Sequence, residues 1–146
     1  MGVNDTDKTK PEPGNLDTDI DLSDYNNNAD TFAGNYGGLI QRLRSIQPRC
    51  KIFIVSMPRN SNLNPIIQAM PTKFDNVFLI DLKQYQSMYE NPTFKDNYYL
   101  GGHLNPAGYL YTAYLFMAYI DWIIRKNPGK FKDVGLIGTT YTTDPT

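Results

Sequence analysis

The sequence contains few of the residues that most often carry enzyme chemistry, with one cysteine, one histidine and one tryptophan in 146 residues. A single cysteine, Cys50, excludes a disulfide within the chain and argues against a thiolate metal cluster. The formal net charge is only −1. Without a broad basic surface, nucleic acid is not expected as a partner.

The length and the apolar content of 40% predict a single domain over residues 1–138, followed by a flexible tail over 139–146. Charge is uneven, because residues 1–30 contain eight acidic side chains and two lysines. Since this opening is also rich in Asn and Asp, we interpret residues 5–30 as an acidic loop.

Part of that loop imitates a calcium site, because Asp17, Asp19 and Asp21 have the spacing that starts a calcium-binding loop. Leu22 and Asn28 stand where such a loop requires glycine and glutamate. A solvated acidic loop is therefore the better interpretation. We predict neither a metal nor a cofactor.

Two short apolar runs, 51–57 and 76–82, predict buried parallel strands. Helices are expected over 30–47 and 63–70. Strands that alternate with helices are typical of an α/β fold, in which ligands bind at the carboxyl ends of the strands. Because two strands make an incomplete sheet, the edge of Lys51–Met57 should be unpaired, and self-association through it is expected.

The last helix is predicted over Pro106–Lys126 and is apolar on nearly every side. Its length is close to that of a membrane span. Several tyrosines, Trp122 and Asp121 lie within it. This composition favours a protein interior over a membrane span.

The only histidine, His103, follows two glycines and precedes Asn105 and Pro106. Asn105 is a favourable N-cap and Pro106 suits the first helical position, so His103 should lie in the loop just before the last helix. An imidazole held this way has a fixed position and open access, as a general base requires. A histidine that only caps or packs is the alternative.

Two blocks of the sequence together resemble the SGNH/GDSL-type serine hydrolases. The first is the opening Met1-Gly2-Val3-Asn4-Asp5, and the second is the Gly-Gly-His-Leu-Asn-Pro segment around His103, with two strand–helix units between them. The resemblance implies a three-layer α/β/α flavodoxin-like fold, truncated at its N-terminus, with about two or three parallel strands left. It also implies serine ester hydrolysis, with His103 as the base and Asn4 as the oxyanion donor.

The sequence departs from this family in its nucleophile, which lies upstream of the Gly-x-Asn-Asp block in the family. None of the serines here has a Gly-Asp-Ser or Gly-x-Ser-x-Gly setting. Ser56, near the end of a predicted strand, is the best substitute. We expect instead that the natural protein is longer and that the serine precedes Met1, which leaves this chain alone inactive.

A second departure affects the third member of the triad. Leu100 stands three residues before His103, where the family has aspartate, and leucine cannot orient an imidazole. Asp96 could reach His103 from the same loop. A backbone carbonyl could orient the ring instead, which would leave a dyad.

The expected substrate is a small-molecule ester. Tyr85, Tyr89, Tyr98 and Tyr99 precede the histidine and could stack on a sugar, as a carbohydrate ester would require, or could simply pack under a long loop. The alternative function is a non-catalytic binding or scaffold module that has lost the nucleophile.

Overall fold

The computed structural model describes residues 12–132. Residues 12–31 form a loop with one 3₁₀ helix, Tyr25–Asn27. The elements that follow, in chain order, are α1 (Phe32–Ile46), β1 (Ile52–Val55), α2 (Asn64–Ala69), β2 (Val77–Ile80), α3 (Gln86–Tyr89), α4 (Pro92–Tyr98), β3 (Tyr99–Leu100), β4 (His103–Leu104) and α5 (Pro106–Lys126). Further 3₁₀ helices span Met70–Thr72, Leu82–Tyr85 and Pro128–Phe131.

Strands β1 and β2 pair in parallel, with Ile52 opposite Val77 and Val55 opposite Ile80. Successive side chains of a strand point to opposite faces of a sheet. One face packs against α1 and α2 in a core that includes Ile40, Ile54 and Ile67. The other face packs against α5, where Ile80 meets Ile123. The described part of the chain is therefore a mixed α/β structure with helices on both faces of a parallel pair of strands.

The predicted helices are present, and their ends follow the expected chemistry. The side chain of Thr31 caps α1 by accepting a hydrogen bond from the backbone N–H of Gly34. Pro65 lies in the first turn of α2, where its missing N–H costs no helical bond. Helix α5 has the predicted bounds, Pro106–Lys126. Between Lys83 and Gly102 the chain forms α3, α4 and strand β3.

Helix α5 is less buried than its composition suggests. Only Gly108 and Ile123 are buried within it, whereas Tyr114, Met117 and Trp122 are each more than half exposed. The expectation that this apolar helix occupies a protein interior is wrong for most of its surface, because two strands offer too little sheet to cover it. Of the helices in residues 12–132, none has the length and apolar character needed to cross a membrane.

The outer edge of β1 is unpaired in the described residues. The N–H of Ile52 donates to Asn76 O and that of Ser56 donates to Ile80 O, so even-numbered residues face β2. The backbone groups of Phe53 and Val55 therefore point outwards. Beside them runs a groove of about 460 Å³, whose other wall is formed by α1 residues that include Leu39 and Leu43.

The acidic loop is held by its own side chains. Asp21 accepts hydrogen bonds from the hydroxyl of Ser23 and from Asn27 Nδ2. The Ser23 hydroxyl is the largest of the causes that hold the pKa of Asp21 well below its ordinary value. Asp17 makes an ion pair with Lys73. In residues 12–132, no group of three or more His, Cys, Asp or Glu side chains is arranged to hold a metal ion.

Phe131 ties the carboxyl-terminal end of the described chain to the sheet. Its ring lies 5.1 Å from that of Phe78 and 6.3 Å from that of Phe53, measured between centroids. Lys130 pairs with Asp75, just before β2. Helix α5 therefore runs antiparallel to the strands, and its amino-terminal half extends past their carboxyl ends.

Candidate functional site

His103 lies in a tight antiparallel hairpin rather than in an irregular loop. Tyr99 pairs with Leu104 and Leu100 pairs with His103 across the two short strands. Gly101 and Gly102 form the turn with φ of 59° and 85°. Two successive positive φ values are the requirement of a type I′ turn, which glycine meets without strain.

The hairpin is fastened to the start of α5. Asn105 Oδ1 accepts a hydrogen bond from the N–H of Gly108 at 2.9 Å, as predicted for the N-cap. Asn105 Nδ2 donates to Asn97 O at 2.8 Å, and its backbone N–H donates to Tyr98 O at 2.8 Å. Asn105 thus joins α4 to α5. These bonds also hold in place the strand that carries His103, which lies two positions before Asn105.

The imidazole of His103 is exposed. In the described part of the chain, no hydrogen bond or ion pair engages its side chain. A free and exposed imidazole on a rigid hairpin can accept a proton from a group that approaches it from outside. The interpretation of His103 as a capping or packing residue has no contact to support it in this region.

Asp96 lies on α4, and its side chain is exposed. Among residues 12–132 no ion pair links its carboxylate to His103. Leu100, directly opposite His103 in the hairpin, is 77% exposed and offers no polar group. Asn4 lies outside the described residues. The described residues therefore show no contact between His103 and Asp96, and the prediction for Asn4 falls on residues outside them.

Three of the four tyrosines that could form a sugar-stacking wall pack against Phe94. The ring of Phe94 lies within 6.3 Å of the rings of Tyr89, Tyr98 and Tyr99. Tyr89 is buried, its hydroxyl shares a hydrogen bond with Thr112, and burial raises its pKa. Tyr98 and Tyr99 keep partial exposure. Tyr85 stands apart, against Tyr119.

A second polar cluster, which the sequence analysis did not predict, lies at the carboxyl ends of β1 and β2. The hydroxyl of Ser56 donates to Asp81 Oδ1 at 2.6 Å and accepts the N–H of Lys83 at 2.9 Å. Gln68 Nε2 donates to both carboxylate oxygens of Asp81, and Gln84 Nε2 donates to one. The one available signal was that Ser56 and Asp81 each directly follow a strand.

Ser56 is an unsuitable nucleophile in this arrangement. Its side chain is among those with less than 2% of their surface exposed. Both its donor and an acceptor position are already used. An ester carbonyl has no route to the hydroxyl, so the suggestion that Ser56 could replace the missing serine is wrong.

His103 is also far from this cluster. The hydroxyl of Tyr119 donates to Asp81 O at 3.2 Å, and burial raises the Tyr119 pKa, which keeps that hydroxyl protonated. Thirteen residues of helix, about 20 Å of rise, separate Pro106 from Tyr119. The imidazole and the strand-end carboxylate therefore belong to different regions of the molecule.

Comparison with known proteins adds no relatives. No protein-family model, no curated protein and no solved structure matches the chain.

Proposed function

We propose that the chain is part of a serine ester hydrolase of the SGNH/GDSL type, with His103 as the general base. The observation that carries this proposal is the presentation of His103. It is an exposed imidazole on a hairpin that is tied to the N-cap of α5. The position matches the one from which the family's histidine acts, directly before the last helix.

In the proposed reaction a serine hydroxyl attacks the ester carbonyl carbon while His103 takes the hydroxyl proton. The side chain of Asn4 donates to the oxyanion that forms. Collapse of this intermediate releases the alcohol, which receives the proton from the imidazole. Water then attacks the acyl-serine, again with His103 as the base, and releases the acid.

We propose that the nucleophile comes from outside the described residues. The serines of the chain are Ser23, Ser45, Ser56, Ser61 and Ser87, and in residues 12–132 none forms a hydrogen bond with His103. We therefore propose a serine on a segment that precedes Met1. Asp96 remains our candidate to orient the imidazole, and a dyad is the alternative.

The proposed substrate is a small-molecule ester. A carbohydrate-linked ester is supported by Tyr98, which precedes the hairpin, and by Tyr99, its first residue, both of which are partly exposed. The strand-end groups do not contribute to this substrate site.

The test is hydrolysis of p-nitrophenyl acetate by the gene product that includes the sequence encoded upstream of Met1. We expect turnover, labelling of an upstream serine by a fluorophosphonate, and a loss of about 10²- to 10⁴-fold in kcat for His103→Ala. Asp121→Asn, an exposed change on α5, serves as the control. Near-normal turnover by His103→Ala, or no labelling of the longer protein, would overturn the proposal.

The competing function is a non-catalytic binding or scaffold module. The observation that favours it is Ser56, whose hydroxyl is buried and already makes two structural hydrogen bonds. An inert longer protein would support this second function.

We also propose that the chain by itself associates through the free edge of β1. The outward backbone groups of Phe53 and Val55 lie beside an apolar groove, and a strand that pairs with them would satisfy both the hydrogen bonds and the apolar wall.

A further inference from the structure

A second groove, larger than the one beside β1, runs along the opposite edge of the sheet, which is the outer edge of β2. Its volume is about 690 Å³, within the range of small-molecule sites. Gln68 and Pro71 form one wall, and α5 forms the other through Ala118, Tyr119 and Trp122. The floor is the edge of β2 and Asp81.

Aromatic rings dominate one end of this groove. The rings of Tyr85 and Tyr119 meet at 81° with centroids 6.4 Å apart. Trp122 lies one turn further along α5 and is 56% exposed. Two perpendicular rings at this separation can both lie within about 6 Å of a single cation, the range of cation–π attraction.

Among the described residues that line the groove, Asp81 is the only charged one. Its carboxylate accepts hydrogen bonds from Ser56, Gln68 and Gln84, all of which are neutral donors. In the described residues no lysine, arginine or histidine forms an ion pair with it. As formed by residues 12–132, the groove therefore combines π faces with a carboxylate that no cationic side chain pairs, which favours a cationic ligand and disfavours an anionic one.

We propose that this groove binds a small organic ammonium ion. The ammonium group lies between the rings of Tyr85, Tyr119 and Trp122, where its alkyl substituents contact the π faces. Its charge is balanced by Asp81. The same head group occurs in free quaternary amines and in a methylated lysine side chain, so both sources are compatible with the chemistry of the groove.

This site is independent of the proposed hydrolase, because the groove lies at the edge of β2 and His103 lies beyond the opposite end of α5. Loss of binding would leave the esterase proposal untouched. Loss of esterase activity would likewise say nothing about the groove.

Trp122 supplies the measurement, because it is the only tryptophan in the chain. Choline should produce a saturable change in tryptophan fluorescence, confirmed by calorimetry. Its uncharged carbon isostere, 3,3-dimethyl-1-butanol, should bind at least about tenfold more weakly, since it lacks the charge that the rings and Asp81 recognise. N-acetyl-trimethyllysine amide is the second probe, and tighter binding than choline would identify a modified lysine as the source.

Asp81→Asn should weaken choline binding by about tenfold or more. Because this change also alters the hydrogen bonds of Ser56, Gln84→Lys is the second variant. Gln84 is exposed at the groove, and a lysine there would compete for the carboxylate and repel the ligand. Asp121→Asn, an exposed acidic position outside the groove lining, is the matched control and should bind choline normally.

Equal affinity for choline and its isostere would overturn the proposal and identify a merely apolar groove. Normal choline binding by folded Gln84→Lys would also overturn it. So would the absence of binding by either ammonium probe up to about 10 mM.

Discussion

Ser56 and Asp81 are 25 positions apart in the chain, and yet the serine hydroxyl donates to the carboxylate at 2.6 Å. Each residue directly follows a strand, and the parallel register of β1 and β2 brings the two side chains together. The same hydroxyl accepts the N–H of Lys83. A single buried oxygen thus fixes the chain at the ends of both strands.

Ser56→Ala should destabilise the protein by about 1–3 kcal/mol, because the Lys83 N–H and one Asp81 oxygen would lose a buried partner. Urea unfolding followed by circular dichroism measures this. Ser87→Ala, an exposed change, should alter stability by less than about 0.5 kcal/mol. Equal stability of the two variants would contradict the structural role of Ser56.

Acid should weaken the acidic loop. The hydroxyl of Ser23 and the amide of Asn27 lower the pKa of Asp21, and the backbone N–H of Asn15 is the main cause that lowers the pKa of Asp19. A carboxyl group with a lowered folded-state pKa stabilises the fold above its unfolded pKa of about 3.9. That stabilisation is lost as pH falls below this value.

The measurement is urea unfolding between pH 7 and pH 2 for the wild type and Asp21→Asn. The variant should be less stable at pH 7, and the difference should shrink as pH falls through the acidic range. Ser23→Ala should act in the same direction, because it removes the largest cause of the shift. A difference that stays constant with pH would show that ionised Asp21 does not support the loop.

The hairpin that carries His103 should be sensitive to substitution at its turn. Gly102 has φ of 85°, and a Cβ there would meet nothing within 4 Å, so the cost of alanine is backbone strain alone. Gly102→Ala should destabilise the hairpin by about 1–2 kcal/mol. Gly129→Ala is the control. A Cβ there also meets nothing within 4 Å, but the φ of Gly129 is not in the left-handed region, so this backbone strain is absent.

Amide hydrogen exchange at Asn105, whose backbone N–H donates to Tyr98 O across the hairpin, and urea unfolding measure the two glycine variants. Faster exchange in Gly102→Ala, with wild-type exchange in Gly129→Ala, is the expected result. Indistinguishable variants would mean that the turn does not hold β3 and β4 together.

Self-association should be visible in sedimentation velocity as a concentration-dependent increase in mass. Val55→Pro removes an outward N–H while leaving the even-numbered bonds to β2, and should reduce association. Leu43→Lys, on the opposite wall of the same groove, should also reduce association, because it places a positive charge in the apolar groove. A wild-type protein that stays monomeric at millimolar concentration would refute the edge proposal.

The sequence was most informative where one local pattern decides the structure. Asn105 and Pro106 marked the start of α5, and an apolar run ending before Pro58 marked β1. Relations between distant segments could not be derived this way. The contact of Ser56 with Asp81 depends on strand register, and the distance of His103 from the strand ends depends on which α5 residues pack on the sheet.

The rings of Phe53, Phe78 and Phe131 belong to β1, β2 and the last described 3₁₀ helix. Each ring contacts the other two, so the three aromatic side chains form one cluster that joins both strands to the last described 3₁₀ helix. Local unfolding of the segment after Lys126 would remove the Phe131 ring from Phe53 and Phe78. We therefore expect this segment and the two strands to unfold together, as one cooperative unit.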